Sequence, residues 1–313
     1  MSSVPRTPIV PAFKNLLFAT DFSPCSEAAL PYVRAIAERY GSTIHIIHVL
    51  APEPVGEVPL DWYPELDADR DDALAAMKTL ATRAPFGKSP FTTTLGKGPL
   101  WDVLAKLIEE KSIDLIVLGT HGRRGLKKML LGSVAEQVFR LATCPVLTVG
   151  PQTMHEGTVD ANFATILYAT DLSSGSEHAL PYAVSLARAN NAHFIVLHAM
   201  SASMEIVPDS FNNVGPATVE LSSEFIAESL VRSRRQVEDL ISAAGIQDLK
   251  PEIIVECGAA VESILRIANS KQADLIMMGA HHSRAGSIAT HLPWATASAI
   301  VRQAHCPVLT VRS

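Results

Sequence analysis

Short apolar runs alternate along this chain with longer stretches whose apolar residues recur every three or four positions. "NLLFAT", from Asn15, is of the first kind and reads as a buried strand. "EAALPYVRAIAERYG" has the 3.6-residue period of an amphipathic helix. Ser23-Pro24 marks its approach, serine as N-cap and proline at the first helical position, and Gly41 marks its end. "TIHIIHVL" predicts a second strand, followed by a polar, Pro-rich stretch and a helix near Asp67 to Arg83. "FTTTLG", "DLIVLG" and "PVLTVG" then predict strands, with helices at "LWDVLAKLIEEKS" and "SVAEQVFRLA" between them. Such alternation predicts a doubly wound α/β fold, a parallel sheet covered on both faces.

The pattern then recurs. "FKNLLFATDFSPCSEAALPYVRAIAERYGSTIHIIHVL", from Phe13, aligns without a gap with "FATILYATDLSSGSEHALPYAVSLARANNAHFIVLHAM", from Phe163. Further on, "GKGPLWDVLAKLIEEKSIDLIVLGTHG" matches "ECGAAVESILRIANSKQADLIMMGAHH", and "TCPVLTVG" matches "HCPVLTVR". Order is kept over a whole half-chain, which indicates duplication. The expected organisation is a first domain over 1–150, a linker over 151–162 and a second domain over 163–313, each domain with a five-stranded parallel sheet.

Composition narrows the class. A chain of 313 residues, 48% of them hydrophobic, has enough material for two packed cores. A formal charge of −6 gives no general attraction to nucleic acid. Cys25, Cys144, Cys257 and Cys306 are far apart with no C-x-x-C pair, so neither a zinc ribbon nor a disulfide framework is expected and a reducing cytoplasm fits best. "MSSVPRTPIVPAF" lacks the features of a signal peptide. No apolar run reaches the ~18–20 residues needed to span a bilayer.

The candidate chemistry lies in "GTHGRRGLKKMLLGS", from Gly119 to Ser133, which carries four glycines, four basic residues and no acid. It leaves the carboxyl end of a strand, the side on which doubly wound sheets bind ligands. It runs into Ser133-Val134-Ala135-Glu136, a capping-box pattern that sets a helix start near Ser133 and engages Glu136 in the cap. Gly119 and Gly122 allow close approach and positive φ, and the free N–H groups of the helix favour an anion. Arg123, Arg124, Lys127 and Lys128 would face a polyphosphate. The loop equally reads as a solvated basic connection. It is neither a Walker A motif nor G-x-G-x-x-G.

The spacing Gly119, two residues, Gly122, nine residues, Gly132-Ser133 resembles the nucleotide motif of ATP-binding universal stress proteins. "LLFATDFS", "ILYATDLS", the "HV" ending of the second strand and "CPVLTV" are similar to that family too, so the resemblance spans both halves. It implies Rossmann-like domains in tandem and ATP held by the first, with a divalent cation (Mg2+ or Mn2+) on the phosphates. It places Gly119, Gly122, Gly132 and Ser133 around ribose and phosphates, Asp21 on base or ribose, and Ala19 and Val49 against adenine. Thr20, Thr120, Arg123, Gly125 and Val134 complete the implied set. Asp21 also reads as a charge at a helix start, and Val49 as strand core. The resemblance implies pairing through the "PVLTVG" and "PVLTVR" edges, as a pseudo-dimer within the chain and a homodimer between chains, with neither nucleic acid nor membrane as a partner.

The second half departs from the motif. Gly279 persists, but His282 replaces the second glycine and Trp294-Ala295 stands where Gly132-Ser133 stood. No ATP in the family manner is expected there. His281, His282 and His291 lack a nearby Cys or carboxylate, and adjacent residues of an extended segment point apart, so no metal site is read. His48 and His198 read as core or loop hydrogen-bonding groups, Cys144 and Cys306 as packed thiols. No catalytic residue is assigned, because the loop offers no carboxylate for a metal or a nucleophile. A nucleotide-dependent regulatory protein leads; a slow ATPase or phosphotransferase and a nucleotide-free scaffold stand as alternatives.

Overall fold

The computed structural model describes residues 11–50, 64–83, 86–120, 133–153, 161–201, 203–206, 217–220, 223–280 and 293–312. In chain order the first elements are β1 (Asn15–Ala19), α1 (Pro24–Glu27), α2 (Leu30–Tyr40), β2 (Thr43–Leu50), α3 (Pro64–Arg83), β3 (Phe91–Lys97), α4 (Leu100–Glu110), β4 (Leu115–Gly119), α5 (Ser133–Leu141) and β5 (Val146–Val149). The repeat supplies β6 (Thr165–Ala169), α6 (Ser174–Asn190), β7 (His193–Met200), β8 (Ser203–Ile206), β9 (Ala217–Glu220), α7 (Ser223–Ala244), β10 (Glu252–Cys257), α8 (Ala260–Ser270), β11 (Leu275–Ala280), α9 (Pro293–Gln303) and β12 (Val308–Arg312).

Two compact units form. The first takes residues up to Asn162 together with Val301–Arg312; the second takes Phe163–Ile300. The first unit's strands run β3-β2-β1-β4-β5-β12, all parallel except β12, which is antiparallel to β5. The second unit has the parallel order β10-β7-β6-β11 and a separate antiparallel pair, β8 with β9. Strand allotment therefore differs from five in each unit, since β12 packs with the first. The β8–β9 pair has no counterpart among the described strands of the first unit.

The central strands are apolar on both faces because both faces are covered. Leu16 to Ala19 and Leu115 to Leu118 are all buried. One side of the first sheet joins Leu17, Ile47, Ile116 and Leu118 to Leu104 and Leu107 of α4 and Ala135 and Val138 of α5. Burying each such Leu or Ile contributes about 1.5–3 kcal/mol. β1 and β6 also start on a repeated tie. Asp114 accepts the Lys14 and Asn15 N–H groups at 2.6 and 3.1 Å, and Asp274 accepts that of Thr165 at 2.8 Å.

Ser23 caps α1 by accepting the Ser26 N–H, with Pro24 at the start, and Gly41 ends α2 at φ +64°. The segment read as one helix is broken between Glu27 and Leu30. Pro31, in the first turn of α2, has no N–H to continue the α1 ladder. Its counterpart Pro181 lies inside a continuous α6.

Candidate functional site

The strand order of the first unit reverses between β1 and β4. There the register sets Ala19 beside Leu118 and brings two carboxyl ends together, Ala19-Thr20-Asp21 and Gly119-Thr120. This is the topological switch point, where doubly wound sheets leave a crevice.

The β1 crest is tightly bonded. The Thr20 N–H reaches the Ile47 carbonyl at 3.0 Å. The Thr20 hydroxyl accepts the Phe22 N–H at 2.9 Å and lies 2.9 Å from Ser26 Oγ. Ser26 Oγ donates to the Ser23 carbonyl, so Thr20 donates to Ser26. Asp21, half-buried, accepts the Ser23 N–H at 3.1 Å. These bonds hold Phe22 at φ +60°, a strained value for a residue with a Cβ. His48, near the end of β2, donates from Nδ1 to the Thr20 carbonyl at 2.7 Å and packs its ring 4.6 Å from that of Phe22. Phe22, Ser26 and the bond from His48 to the crest are contributions the sequence reading did not place at the site. Their signal was the repeated "ATD…S" and strand-ending "H".

Gly119 has a steric reason to be glycine. A Cβ there would meet the Cys25 carbonyl carbon at 2.7 Å and Ser26 Cα at 2.9 Å, with the Cys25 oxygen closer still. The end of β4 thus lies directly against the backbone of α1. The expected positive φ does not occur at Gly119; close approach is what requires it. Thr120 is buried and bonds its N–H to the Val149 carbonyl at 3.1 Å. Burial, and then Asp21, push the Cys25 thiol up, so the thiolate is disfavoured beside the crest. Burial also pushes Cys144 up to about 12, as fits a packed thiol.

The remaining residues sit as follows. Val49, half-buried in β2 opposite Gly96 of β3, packs against the apolar cluster under α4 and α5. Helix α5 begins at Ser133, and Val134 is exposed. Ser133 is therefore the first helical residue rather than the cap. Glu136 lies 3.8 Å from Arg140 one turn along the helix, an exposed pair of little energetic weight. Gly122, Arg123, Gly125 and Gly132 lie outside the described residues, as do His281, His282 and His291. Among the described residues no cluster of His, Cys, Asp or Glu could hold a metal ion, and no helix is long and apolar enough to cross a membrane.

The second unit repeats the crest. Thr170 Oγ1 accepts the Leu172 N–H and donates to Ser176, Leu172 has φ +60°, Asp171 accepts the Ser173 N–H, and His198 Nδ1 donates to the Thr170 carbonyl at 2.9 Å. Gly279 meets the backbone of Gly175 as Gly119 meets Cys25. The difference lies at the other wall, where α9 is already helical at Pro293 and Trp294, two residues before the position matched to Ser133.

Known proteins share this layout. Universal stress protein Rv2623 of Mycobacterium tuberculosis is 25% identical over 311 residues, covering 95% of this chain and 96% of its own. Universal stress protein MJ0531 of Methanocaldococcus jannaschii is 32% identical over 139 residues, which is 44% of this chain and 82% of its own. The crystal structure of a universal stress protein from Archaeoglobus fulgidus has the same fold, with a TM-score of 0.67 at 20% identity over 95% of this chain and 98% of that one. The model of the universal stress protein family matches residues 12–150 and, separately, 162–312. With both halves matched, the chain belongs to the universal stress protein family and carries its domain twice in tandem.

Proposed function

We propose that the first domain, residues 1–150, binds ATP at the β1–β4 switch point and that the protein acts as a nucleotide-dependent regulator. The supporting observation is the junction itself. The carboxyl ends of β1 and β4 meet there with half-buried Asp21 and buried Thr120 beside glycine backbone, and the Gly119…Gly122…Gly132-Ser133 motif leads from it to the start of α5. The fit is chemical. Asp21 can accept ribose hydroxyls or the adenine amino group, and Ala19 and Val49 offer apolar contact to the base. The first N–H groups of a helix have no partner within it, and those of α5, with Arg123 and its basic neighbours, would match the phosphates. Gly125 and Val134 complete the set. A divalent cation, Mg2+ or Mn2+, would ride on the phosphates and neutralise part of their charge.

Binding is favoured over turnover because the sequence of the loop from Gly119 to Ser133 carries no carboxylate to anchor a metal or orient a nucleophile. The second domain, over 163–313, binds ATP weakly or not at all. Its helix α9 starts earlier, and Trp294-Ala295 removes both the glycine and the hydroxyl. Further pairing of two chains into a homodimer, in the cytoplasm, completes the proposal.

The test is to denature freshly purified protein and identify the nucleotide it releases, followed by titration of stripped protein with ATP. About one ATP per chain is expected. Gly132→Trp, which imitates the second half, should weaken binding at least tenfold, equivalent to about 1.4 kcal/mol. Wild-type affinity in that variant would show that the phosphates sit elsewhere. Steady hydrolysis well above that of the variant would favour the ATPase alternative.

A further inference from the structure

The last carbonyls of a helix have no partner within it. In α5 they are met from another strand. Arg312, at the end of β12, donates from Nη1 to the Arg140 carbonyl and lies 3.4 Å from that of Ala142. The strand that carries it is fixed in register, Val308 beside Thr148 and Thr310 beside Val146. Thr148 Oγ1 donates to the Val308 carbonyl at 3.0 Å, which ties the pair further. A cation at a helix C-terminus is favoured by the helix dipole. The guanidinium also presents several donors in a fixed plane, so it sets the direction of the helix end as well as its charge.

The clasp is asymmetric between the repeats. "CPVLTVR" ends on Arg312 where "CPVLTVG" ends on Gly150, so the first repeat has no side chain to perform the same service. Gly150 is instead in close contact with backbone, since a Cβ there would meet the Val301 carbonyl oxygen at 2.6 Å. The clasped helix is the one that begins at Ser133, in the half with the intact motif.

We propose that Arg312 is a positioning residue for the nucleotide site, holding the far end of α5 so that its N-terminal N–H groups stay aimed at the phosphates. This rests on the ATP reading above. A helix of nine residues is short and stiff, and a small tilt at one end displaces the other. The residue supplied by the second repeat thus sets how well the first repeat holds its ligand.

The experiment compares wild type, Arg312→Gln, Arg312→Lys and Arg188→Gln by ATP titration and by amide hydrogen exchange across residues 133–141. Arg188→Gln is a stability control, because it breaks the bidentate pair with Asp248 in the other unit. Arg312→Gln should bind ATP roughly three- to tenfold more weakly, with faster exchange in α5. Arg312→Lys keeps the charge and should recover part of both losses. Arg188→Gln should lower thermal stability and leave affinity unchanged. Wild-type affinity in Arg312→Gln, or an equal loss in Arg188→Gln, would overturn the positioning role while leaving ATP binding intact. Absence of ATP binding by the wild type itself would overturn the ATP reading, and this inference with it.

Discussion

Gly119→Ala tests whether the β4 crest is closed by backbone. The added methyl would lie 2.7 Å from the Cys25 carbonyl carbon and 2.9 Å from Ser26 Cα, with no flexible side chain able to yield. Reaching ordinary contact requires α1 and β4 to separate by roughly 0.7–1 Å, and overpacking of that kind typically costs about 1–3 kcal/mol. For a unit of this size that lowers the melting temperature by about 2–4 °C per kcal/mol. The crest bonds that set Phe22 and Asp21 move with α1, so ATP affinity should fall as well. Gly279→Ala is the matched comparison. Its Cβ would lie 2.5 Å from the Gly175 carbonyl carbon and 2.6 Å from the Ser176 nitrogen, a clash of the same kind in the second unit. It should destabilise comparably and leave ATP affinity near wild type. Calorimetric unfolding and ATP titration of both variants make the check. An unchanged melting temperature in Gly119→Ala would refute the steric account. Equal loss of affinity in the two variants would refute the assignment of ATP to the first unit alone.

Two further outcomes follow from buried polar groups. Tyr168 donates its hydroxyl to the Ser176 carbonyl at 2.5 Å from a fully buried ring, where the first repeat has Phe18. Tyr168→Phe should cost about 1–2 kcal/mol by denaturant unfolding, and a neutral result would mean the bond adds nothing to the α6 start. Buried His45 bonds Thr92 through Nδ1, while its Nε2 has no partner among the described residues. Burial, then the charge of Lys111, hold its pKa below the ordinary 6.5. The unfolded chain therefore binds this proton more readily. The stability linked to His45 is complete above about pH 6.5 and falls as the pH drops towards the lower folded value. Between pH 7.5 and 5 the wild type should lose more stability than His45→Asn, and identical pH slopes for the two would contradict this.

Much of the framework was legible because its causes are local. Apolar runs give the central strands, Ser23-Pro24 and Gly41 delimit helices by capping and positive φ, and repeated segments expose the duplication. What escaped was set by distant partners. The break between α1 and α2 was hidden by an uninterrupted helical period. β12 pairs with β5, the two edges "PVLTVG" and "PVLTVR" that the resemblance matched, but packing allots Val308–Arg312 to the first unit, which the order of the repeats does not show. At the site, Gly119 was legible as a residue needing space, but the reason lies in Cys25, far away in sequence. The fold of the second crest was legible from "ATDLSS", and its bonds are nearly those of the first.

The pairing of β12 with β5 has a consequence for biosynthesis. A ribosome delivers Val146–Val149 well before Val308–Arg312, so the nascent first unit carries an apolar strand with one open edge while the whole second unit is made. An edge of that kind invites pairing with other nascent chains. Arrival of β12 would cover it, making synthesis of that strand the step that closes the first sheet.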